Sequence, residues 1–420
     1  MFQELILNSI RHYYWLLVLI AMSLVFGIRD TSSLVILLTI GAVFICIPYI
    51  EKFSLLDAAV IVFVLYSCCT GIFNSYPYRL FYLGIRAEMV PVCFYFIARS
   101  SLFKSDLFFE NMKKPLLFAM VCGFYLYFAM PSFYVSYKAN VVWGAIGADM
   151  TELSGHLLYE MTRFSSFWPH SYFMGYSSLF LFIFCSKRII IDSSTSKLNY
   201  WCLGISFFCL FFAQQRVSIA FAILYLIFLT FYAFYYRLEQ RRILYFFWSI
   251  AIAFGVLIAL VALIVLGTDF VDYVLNRTVN YDGKMVGDRF SMFGAFLDDI
   301  TFFGKGLGRY GHGAVGEGFS SVPDCDYIRI PCEIGILGLG LLLSICVNVI
   351  MKGFCLFKRC FFELFCLLFC LIAMLGAAPW ELGTLQPFLY WFCIGHIQNK
   401  FSTPDDLEEE PVESLEGEAE

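Results

Sequence analysis

The 420-residue sequence has too few charged residues for a water-soluble protein of its length. Asp, Glu, Lys and Arg make up 15% of it, whereas hydrophobic residues make up 60% and aromatic residues 20%. A soluble domain has about 25% charged residues. A globule of this size could not hide so much apolar surface, because much of any folded surface faces water. The composition therefore excludes soluble enzymes, nucleic-acid-binding proteins and disordered proteins, and it predicts an integral membrane protein.

Metal-binding and redox motifs are also lacking. None of the 16 cysteines forms a C-x-x-C pair, and nearly all lie in apolar runs, where cysteine is a small hydrophobic residue. Residues 401–420 contain nine acidic and no basic side chains, which leaves 28 basic against 24 acidic side chains in residues 1–400. A block of like charge without periodicity predicts a disordered acidic tail. We therefore predict a single polytopic membrane domain, residues 1–400, and a cytoplasmic tail, residues 401–420.

Long apolar runs are what the sequence has in abundance. About 20 apolar residues cross the hydrocarbon core of a membrane. This length predicts twelve helices, at residues 12–28, 33–50, 55–73, 80–98, 115–131, 172–186, 199–214, 217–236, 243–267, 333–351, 360–378 and 384–398. The predicted fold class is therefore an all-α integral membrane protein with about twelve transmembrane helices.

Lys and Arg concentrate in the short connections, and this bias predicts which side is cytoplasmic. Both termini are then cytoplasmic, and the two long connections, residues 131–171 and 268–332, lie outside. Loops of this length are usually functional or disordered, and their aromatic and glycine content favours partly folded caps. Within the second loop, apolar residues recur every three or four positions over 287–300, which predicts a helix lying in the membrane interface.

An ionisable side chain at membrane depth is costly and requires a reason. Arg86 lies well inside the fourth predicted span, and Arg216 lies at the tight turn between the seventh and eighth. Each has a structural alternative. Arg86 could be a buried partner of Glu88, and Arg216 could extend its guanidinium to the interface.

Each long loop adds cations near the outer face. The first ends in the aromatic segment 163–175, which contains Arg163 and His170 and would also suit an ordinary aromatic belt. The second contains Arg277, Arg289 and Arg309. Its glycine-rich run, residues 304–313, lacks a Walker lysine, so it predicts no nucleotide site, but it would let backbone approach a ligand closely.

The best general-base candidates precede the tenth predicted span. Asp324 and Asp326 are two residues apart, and Glu333 follows at the mouth of the span. The structural alternative is that these carboxylates cap the helix and offset nearby arginines. We prefer Asp324 or Asp326 to His312 as the base, because His312 lies between glycines and is less well fixed. The arginines favour an anionic ligand, a phosphorylated or pyrophosphorylated lipid, because the guanidinium fork donates two hydrogen bonds at once.

Taken together, these segments resemble the superfamily of O-antigen polymerases (Wzy) and O-antigen ligases. The resemblance is carried by Arg163 to Gly175, by Gln215-Arg216-Val217-Ser218, by Arg289 with Gly304, Gly306 and Gly308, and by Asp324-Cys325-Asp326-Tyr327 followed by Glu333-x-Gly335-x-x-Gly338. Two departures matter. Position 325 is Cys where the family pattern has Asn, and the His-Asn pair typical of ligases is missing before the tenth span, which favours polymerase over ligase.

The resemblance implies a metal-independent glycosyltransferase of the bacterial inner membrane with a GT-C-like fold and no cofactor. It would transfer a growing glycan from undecaprenyl pyrophosphate to a lipid-linked repeat unit at the periplasmic face. The implied base candidates are Asp324, Asp326 and His312, and the implied substrate-binding residues are Arg86, Arg163, His170, Arg216, Arg277, Arg289, Arg309 and Tyr327. Implied partners are these lipid-linked glycans, membrane lipid, a flippase and a chain-length regulator, with no nucleic acid.

Two alternatives remain open at this point. An O-antigen ligase would use the same donor and transfer the glycan to lipid A-core. A twelve-helix transporter or flippase would need no chemistry, although the short connection at residues 187–198 and the two large outer loops are unlike a rocking bundle.

Overall fold

The structure, a computed structural model, is helical in the part of the chain that it describes. Those residues are 32–74, 77–102, 105–129, 132–138, 164–168, 171–235, 294–311, 325–376 and 385–402, with isolated positions at 248, 250, 255, 314, 318–320, 322 and 379–380. No strand occurs among them, so the all-α prediction is confirmed there. The predicted span at 12–28, nearly all of that at 243–267, most of both long loops and the end of the acidic tail lie outside the described residues.

Helices occupy the places of the other ten predicted spans. In chain order they are α1 Ser32–Cys46, α2 Leu55–Asn74, α3 Tyr78–Arg99, α4 Ser105–Ala129, a short α5 Ser132–Tyr137, α6 Ser171–Ile190, α7 Lys197–Phe212, α8 Arg216–Tyr235, α9 Asp326–Cys355, α10 Phe361–Ala373 and α11 Leu385–Ser402. Five of them, α2, α3, α6, α8 and α9, are long and apolar enough to cross a membrane. This indicates a membrane-embedded protein, because a helix satisfies its own backbone hydrogen bonds in lipid.

Helix α6 lies at the centre of the bundle. Its apolar stretch is 94% buried, whereas those of α2, α8 and α9 are 39% buried. A long apolar helix with so much uncovered surface suits contact with lipid, and the side chains of Phe73 and Phe234 are more than 80% exposed. Helices α7, α8, α10 and α11 pack against α6, and α11 also packs along α3.

Aromatic side chains fill the space between the inner helices. Phe108 on α4 stacks on Phe392 of α11 with ring centroids 4.5 Å apart. Phe94 on α3 meets Phe388 of α11 edge to face at 4.9 Å. Such pairs add about 0.5–1.5 kcal/mol each beyond the burial of their area. The high aromatic content of the sequence is thus partly explained as core packing.

Two helices begin earlier than the sequence predicts, and each continues through a proline. Helix α4 begins at Ser105 and contains Pro115, and α9 begins at Asp326 and contains Pro331. We predicted spans from 115 and 333 because the apolar runs begin there. Each helix also continues through its proline, although proline lacks an N–H donor. Polar contacts hold both early segments in place: Lys113 on α4 donates to Asn199 at 2.6 Å, and Asp326 takes part in the ion pairs described below.

The predicted interfacial helix at 287–300 is described only from residue 294 onward. This part contains a single 3₁₀ turn, Leu297–Asp299. Phe296 and Ile300 pack on a small cluster that contains Tyr310 and Cys332. These two apolar side chains therefore pack against the rest of the protein.

Buried ion pairs join the end of α3 to the start of α2, and the start of α10 to α11. Arg99, at the end of α3, binds Asp57 of α2 with Nε 2.8 Å from Oδ1. Glu363 on α10 is buried, with Oε1 2.5 Å from Nδ1 of His396 and 3.8 Å from Nζ of Lys400. These ion pairs therefore fix consecutive helices to each other, α2 to α3 and α10 to α11.

Candidate functional site

Helix α9 is interrupted near its start. Pro331 lacks an N–H donor, and Gly335 has φ 78° and ψ 170°, a backbone conformation outside the helical region. This region of backbone space is essentially restricted to glycine. The interruption frees backbone groups on both sides of Gly335, and in a membrane each of these needs another partner.

The segment 301–310, which we call the strap, supplies those partners. Four backbone hydrogen bonds join it to the interruption: Lys305 N to Cys332 O at 2.8 Å, Gly306 N to Glu333 O at 2.9 Å, Ile336 N to Thr301 O at 3.0 Å and Leu337 N to Phe302 O at 3.2 Å. The strap thus replaces the helical hydrogen bonds that α9 gives up. The two parts of α9 and the strap form one hydrogen-bonded unit.

The glycines of the strap allow this close contact. A Cβ atom on Gly304, which has φ 86°, would overlap the carbonyl oxygen of Glu333, and one on Gly335 would overlap that of Phe302. Gly308 approaches Gly84 of α3 in the same way, and a Cβ on Gly84 would lie 2.8 Å from Gly308 N. From the sequence we expected this run to approach a ligand. In the described part it approaches the backbone of α3 and α9.

A buried arginine with three carboxylates lies beside the interruption. Arg329 Nη1 is 2.6 Å from Glu88 Oε1 and 2.9 Å from Glu333 Oε2, and Arg329 Nη2 is 2.7 Å from Asp326 Oδ1. All four side chains, which we call the Arg329 cluster, are buried. Removing one partner from such a group costs about 3–5 kcal/mol, because the remaining charge is left buried.

Local helix geometry explains part of the cluster. Asp326 and Glu333 lie three residues before and four residues after Arg329, and both spacings bring side chains to one face of a helix. Each carboxylate also accepts a backbone hydrogen bond: Trp380 N donates to Asp326 Oδ2 at 3.0 Å, and Tyr310 N donates to Glu333 Oε1 at 2.9 Å. The cluster therefore connects α9 to the strap and to the chain just before α11.

Glu88 comes from a different helix and from an unusual turn. Residues Ile85–Met89 of α3 form a π-helical turn, followed by a 3₁₀ turn, Val90–Val92, that contains Pro91. Single π-helical turns inside α-helices are frequent at functional sites. Here the turn carries Arg86 and Glu88, and Glu88 reaches Arg329 across 241 positions of the chain.

An ion pair outside the predicted spans fixes the start of the strap. Lys305 Nζ donates to Asp299 Oδ1. This hydrogen bond holds the pKa of Asp299 below its usual value, and a hydrogen bond with Tyr310 lowers it further. Burial, with Asp299 as a second cause, raises the pKa of Tyr310.

The segments around Gly175 and Gln215, which also carry the resemblance to the O-antigen polymerases, contact each other. We call the contact of the strap with α9 the first convergence and this contact the second convergence. A Cβ on Gly175 of α6 would lie 2.8 Å from Gln215 Cβ and 3.4 Å from Ser218 Oγ. Phe164 N donates to Phe212 O at 3.1 Å. The end of the first long loop therefore lies directly against the turn between α7 and α8.

Helix α11 links the two convergences. Gln386, in its first turn, donates to Phe173 O of α6 at 3.0 Å, and Trp380, just before it, donates to Asp326 of α9. The N-terminal ends of α6, α9 and α11 are thus neighbours. Lys138 supports the same region, because its ammonium donates to Ser165 Oγ at 2.9 Å and to Trp168 O.

Five of the sequence-predicted site residues are described. Asp326 is in the Arg329 cluster. Arg86 is half-buried on the π-helical turn, and Arg216 is exposed as the first residue of α8. The Arg309 guanidinium lies 5.6 Å from the ring centroid of Phe319, and Tyr327 OH donates to Leu371 O at 3.0 Å.

The other predicted site residues lie outside the described residues: Arg163, His170, Arg277, Arg289, His312 and Asp324. Their roles stay predictions. Among the residues that are described, no group of three or more His, Cys, Asp or Glu side chains is arranged to hold a metal ion. The chain matches no protein-family model and no curated protein sequence.

Sequence reasoning missed the centre of the site. Arg329 was not a candidate, and Glu88 was considered only as a partner of Arg86. The spacing of Asp326, Arg329 and Glu333 is a usable signal, because oppositely charged residues three and four positions apart meet on a helix. No local pattern indicates that Glu88 joins them.

Proposed function

We propose that the chain is a polysaccharide polymerase, a glycosyltransferase that moves a growing glycan from undecaprenyl pyrophosphate to a lipid-linked repeat unit. One observation supports this above the others. The segments that resemble the O-antigen polymerases come together at neighbouring helix ends, with Gly175 against Gln215 and Ser218, and with the strap against the start of α9. A chance resemblance in unrelated segments has no reason to converge in space.

The chemistry required is modest and matches the residue types in these segments. The acceptor hydroxyl needs a base, and the departing pyrophosphate needs cationic hydrogen-bond donors. Arg216 lies exposed beside the second convergence, and Arg163 and Arg289 belong to the same resembling segments. Guanidinium groups serve this role well because they bind phosphate oxygens in pairs.

The remaining features of the proposal follow from the resemblance and from the distribution of Lys and Arg. We propose twelve spans with a GT-C-like arrangement, residence in the bacterial inner membrane, cytoplasmic termini and a site at the periplasmic face. We further propose that the protein works beside a flippase and a chain-length regulator, and that the reaction needs no metal ion.

The test is the glycan made by a host strain that lacks the chain. A lost polymerase leaves lipid A-core carrying a single repeat unit, whereas a lost ligase leaves none. Complementation with Arg163→Ala, Arg216→Ala or Arg289→Ala should fail to restore long chains although the variants accumulate normally. Lys114→Ala, which removes an exposed cation on α4, is the matched control and should restore them. Full chain-length distributions in all three arginine variants would contradict the proposal.

A transporter or flippase is the second candidate, and the interrupted helix favours it. Discontinuous helices with buried ionisable residues also form the binding sites of secondary transporters. Proteoliposomes containing the purified chain and extracted lipid-linked repeat units separate the two functions. A polymerase lengthens the glycans, whereas a flippase only moves them across the bilayer.

A further inference from the structure

The strap carries two neighbouring phenylalanines on its outer surface. The side chains of Phe302 and Phe303 are 57% and 62% exposed, and their rings meet edge to face with centroids 4.9 Å apart. Phe296 and Ile300, just before the strap, pack inward instead. Adjacent exposed aromatic rings mark a surface that meets another apolar surface, so the strap requires a partner on this side.

The backbone of the same turn is satisfied by the protein itself. Four successive carbonyl groups of the strap, at residues 301–304, accept hydrogen bonds from helices α2 and α9. The donors, in that order, are Ile336 N at 3.0 Å, Leu337 N at 3.2 Å, Tyr66 OH at 3.1 Å and Asn74 Nδ2 at 3.5 Å. Non-helical backbone is tolerated at membrane depth only where protein groups satisfy it. These four carbonyl groups meet that condition and need no water.

The strap lies between the uncovered apolar faces of two candidate membrane spans. Phe73 of α2 is exposed beside Asn74, and Ile336 and Leu337 of α9 are exposed where they hydrogen-bond to the strap. The part of α9 from Gly335 to its end rises about 30 Å, which matches the thickness of a hydrocarbon core. With α9 across a membrane, the strap lies at one boundary of that core, and its two rings extend the apolar surface of α2 and α9.

The charged side chains that flank the phenylalanines are paired. Lys305 and Asp299, one on each side of the two rings, form an ion pair with each other, and both are about one-third exposed. Apolar rings beside a partly exposed charged pair are typical of segments that lie in a membrane interface, with the rings among the acyl chains and the charges at the headgroups.

We propose that the strap is a lipid anchor, in which Phe302 and Phe303 insert among the phospholipid acyl chains of one leaflet. The occupant is lipid because the two rings extend helix faces that already suit contact with lipid. The anchor supports the strap from outside while α2 and α9 hold its backbone. This inference is independent of the reaction that the protein performs, and it modifies the predicted topology, in which all of residues 268–332 lie outside the membrane.

The test is photochemical cross-linking of the full chain in vesicles of phosphatidylethanolamine and phosphatidylglycerol with tritiated acyl chains. In two separate variants, the photoreactive residue p-benzoylphenylalanine replaces Phe302 or Phe303, because it keeps an aromatic ring at each position. The same residue at Phe231, which is 70% exposed on α8, marks a lipid-facing position. At Ser196, exposed in the connection between α6 and α7, it marks a position in water.

The measured quantity is tritiated lipid bound per chain after irradiation. A side chain of this size prefers hydrocarbon to water by about tenfold or more. Lipid capture at Phe302 and Phe303 should therefore match that at Phe231 and exceed that at Ser196 by about tenfold. If one strap variant does not accumulate, the other gives the same comparison.

Two results would overturn the proposal. Lipid capture at Phe302 and Phe303 no greater than at Ser196 would show that the rings face water. A cross-linked product of twice the mass of the chain, in place of lipid capture, would show that a second copy of the protein covers this surface.

Discussion

Replacing Gly335 by alanine should break the unit formed by the strap and α9. Alanine must adopt φ 78° and ψ 170° at this position, which costs about 1–3 kcal/mol. Its Cβ would also overlap Phe302 O, so the strap must move and the two hydrogen bonds from Ile336 and Leu337 weaken, at about 0.5–1.5 kcal/mol each. The expected loss in the free energy of unfolding is about 2–6 kcal/mol in total.

The assay is unfolding of the purified full chain in mixed detergent micelles with increasing SDS. Gly340→Ala is the matched control, because Gly340 is exposed on the same helix and a Cβ there meets nothing within 4 Å. Alanine should be neutral or stabilising at that position by up to about 1 kcal/mol, given its higher helix propensity. Equal unfolding curves for the two variants would refute the reasoning that the interruption depends on the backbone of Gly335.

Three further predictions follow from the same contacts. Arg329→Met should lower the free energy of unfolding by about 3–5 kcal/mol because it leaves three buried carboxylates facing one another, while Lys114→Met at an exposed position should change it little; equal effects would contradict the cluster. Asp299→Asn should destabilise the protein at neutral pH. The pKa of Asp299 is lowered in the folded state, so its stabilisation is fully present above about pH 4 and is lost as the pH falls through the folded value; the unfolding curves of the variant and the wild type should therefore converge in acid. Reporter fusions should place residues 131–171 and 268–332 outside and Lys197 and Arg241 inside, and a cytoplasmic signal from residue 315 would overturn the orientation.

Helix positions could be predicted from the sequence because they depend mainly on the length of apolar runs. Ten predicted spans have a helix in their place, and the count of twelve stays a prediction. The differences lie at α4 and α9, which begin before the apolar runs at 115 and 333 and continue through Pro115 and Pro331. Contacts with distant residues, such as Lys113 with Asn199, outweigh the hydrogen bond that each proline lacks, and such contacts leave no trace in local sequence.

The candidate site was predicted only in part. Asp326 and Glu333 were identified because carboxylates grouped at the start of a predicted span are candidates for a general base. Arg329 did not, although it lies between them and binds both. Glu88 on α3 pairs with Arg329 on α9, and a pairing over 241 positions cannot be inferred from spacing in a single sequence.

The positions of the partners of Arg329 along the chain have a consequence for biosynthesis. An unpaired arginine entering a membrane is costly, and domains fold progressively from the N-terminus during synthesis. Glu88 precedes Arg329, Asp326 and Glu333 flank it within one helix, and the strap is synthesised immediately before α9. When α9 leaves the ribosome, these partners are already present or arrive with it. The charge of Arg329 can therefore be paired, and the free backbone groups of α9 can be hydrogen-bonded, during insertion into the membrane. The hydrogen bonds of Asp326 with Trp380 N and Met374 O form later, after the chain that follows α9 has been made.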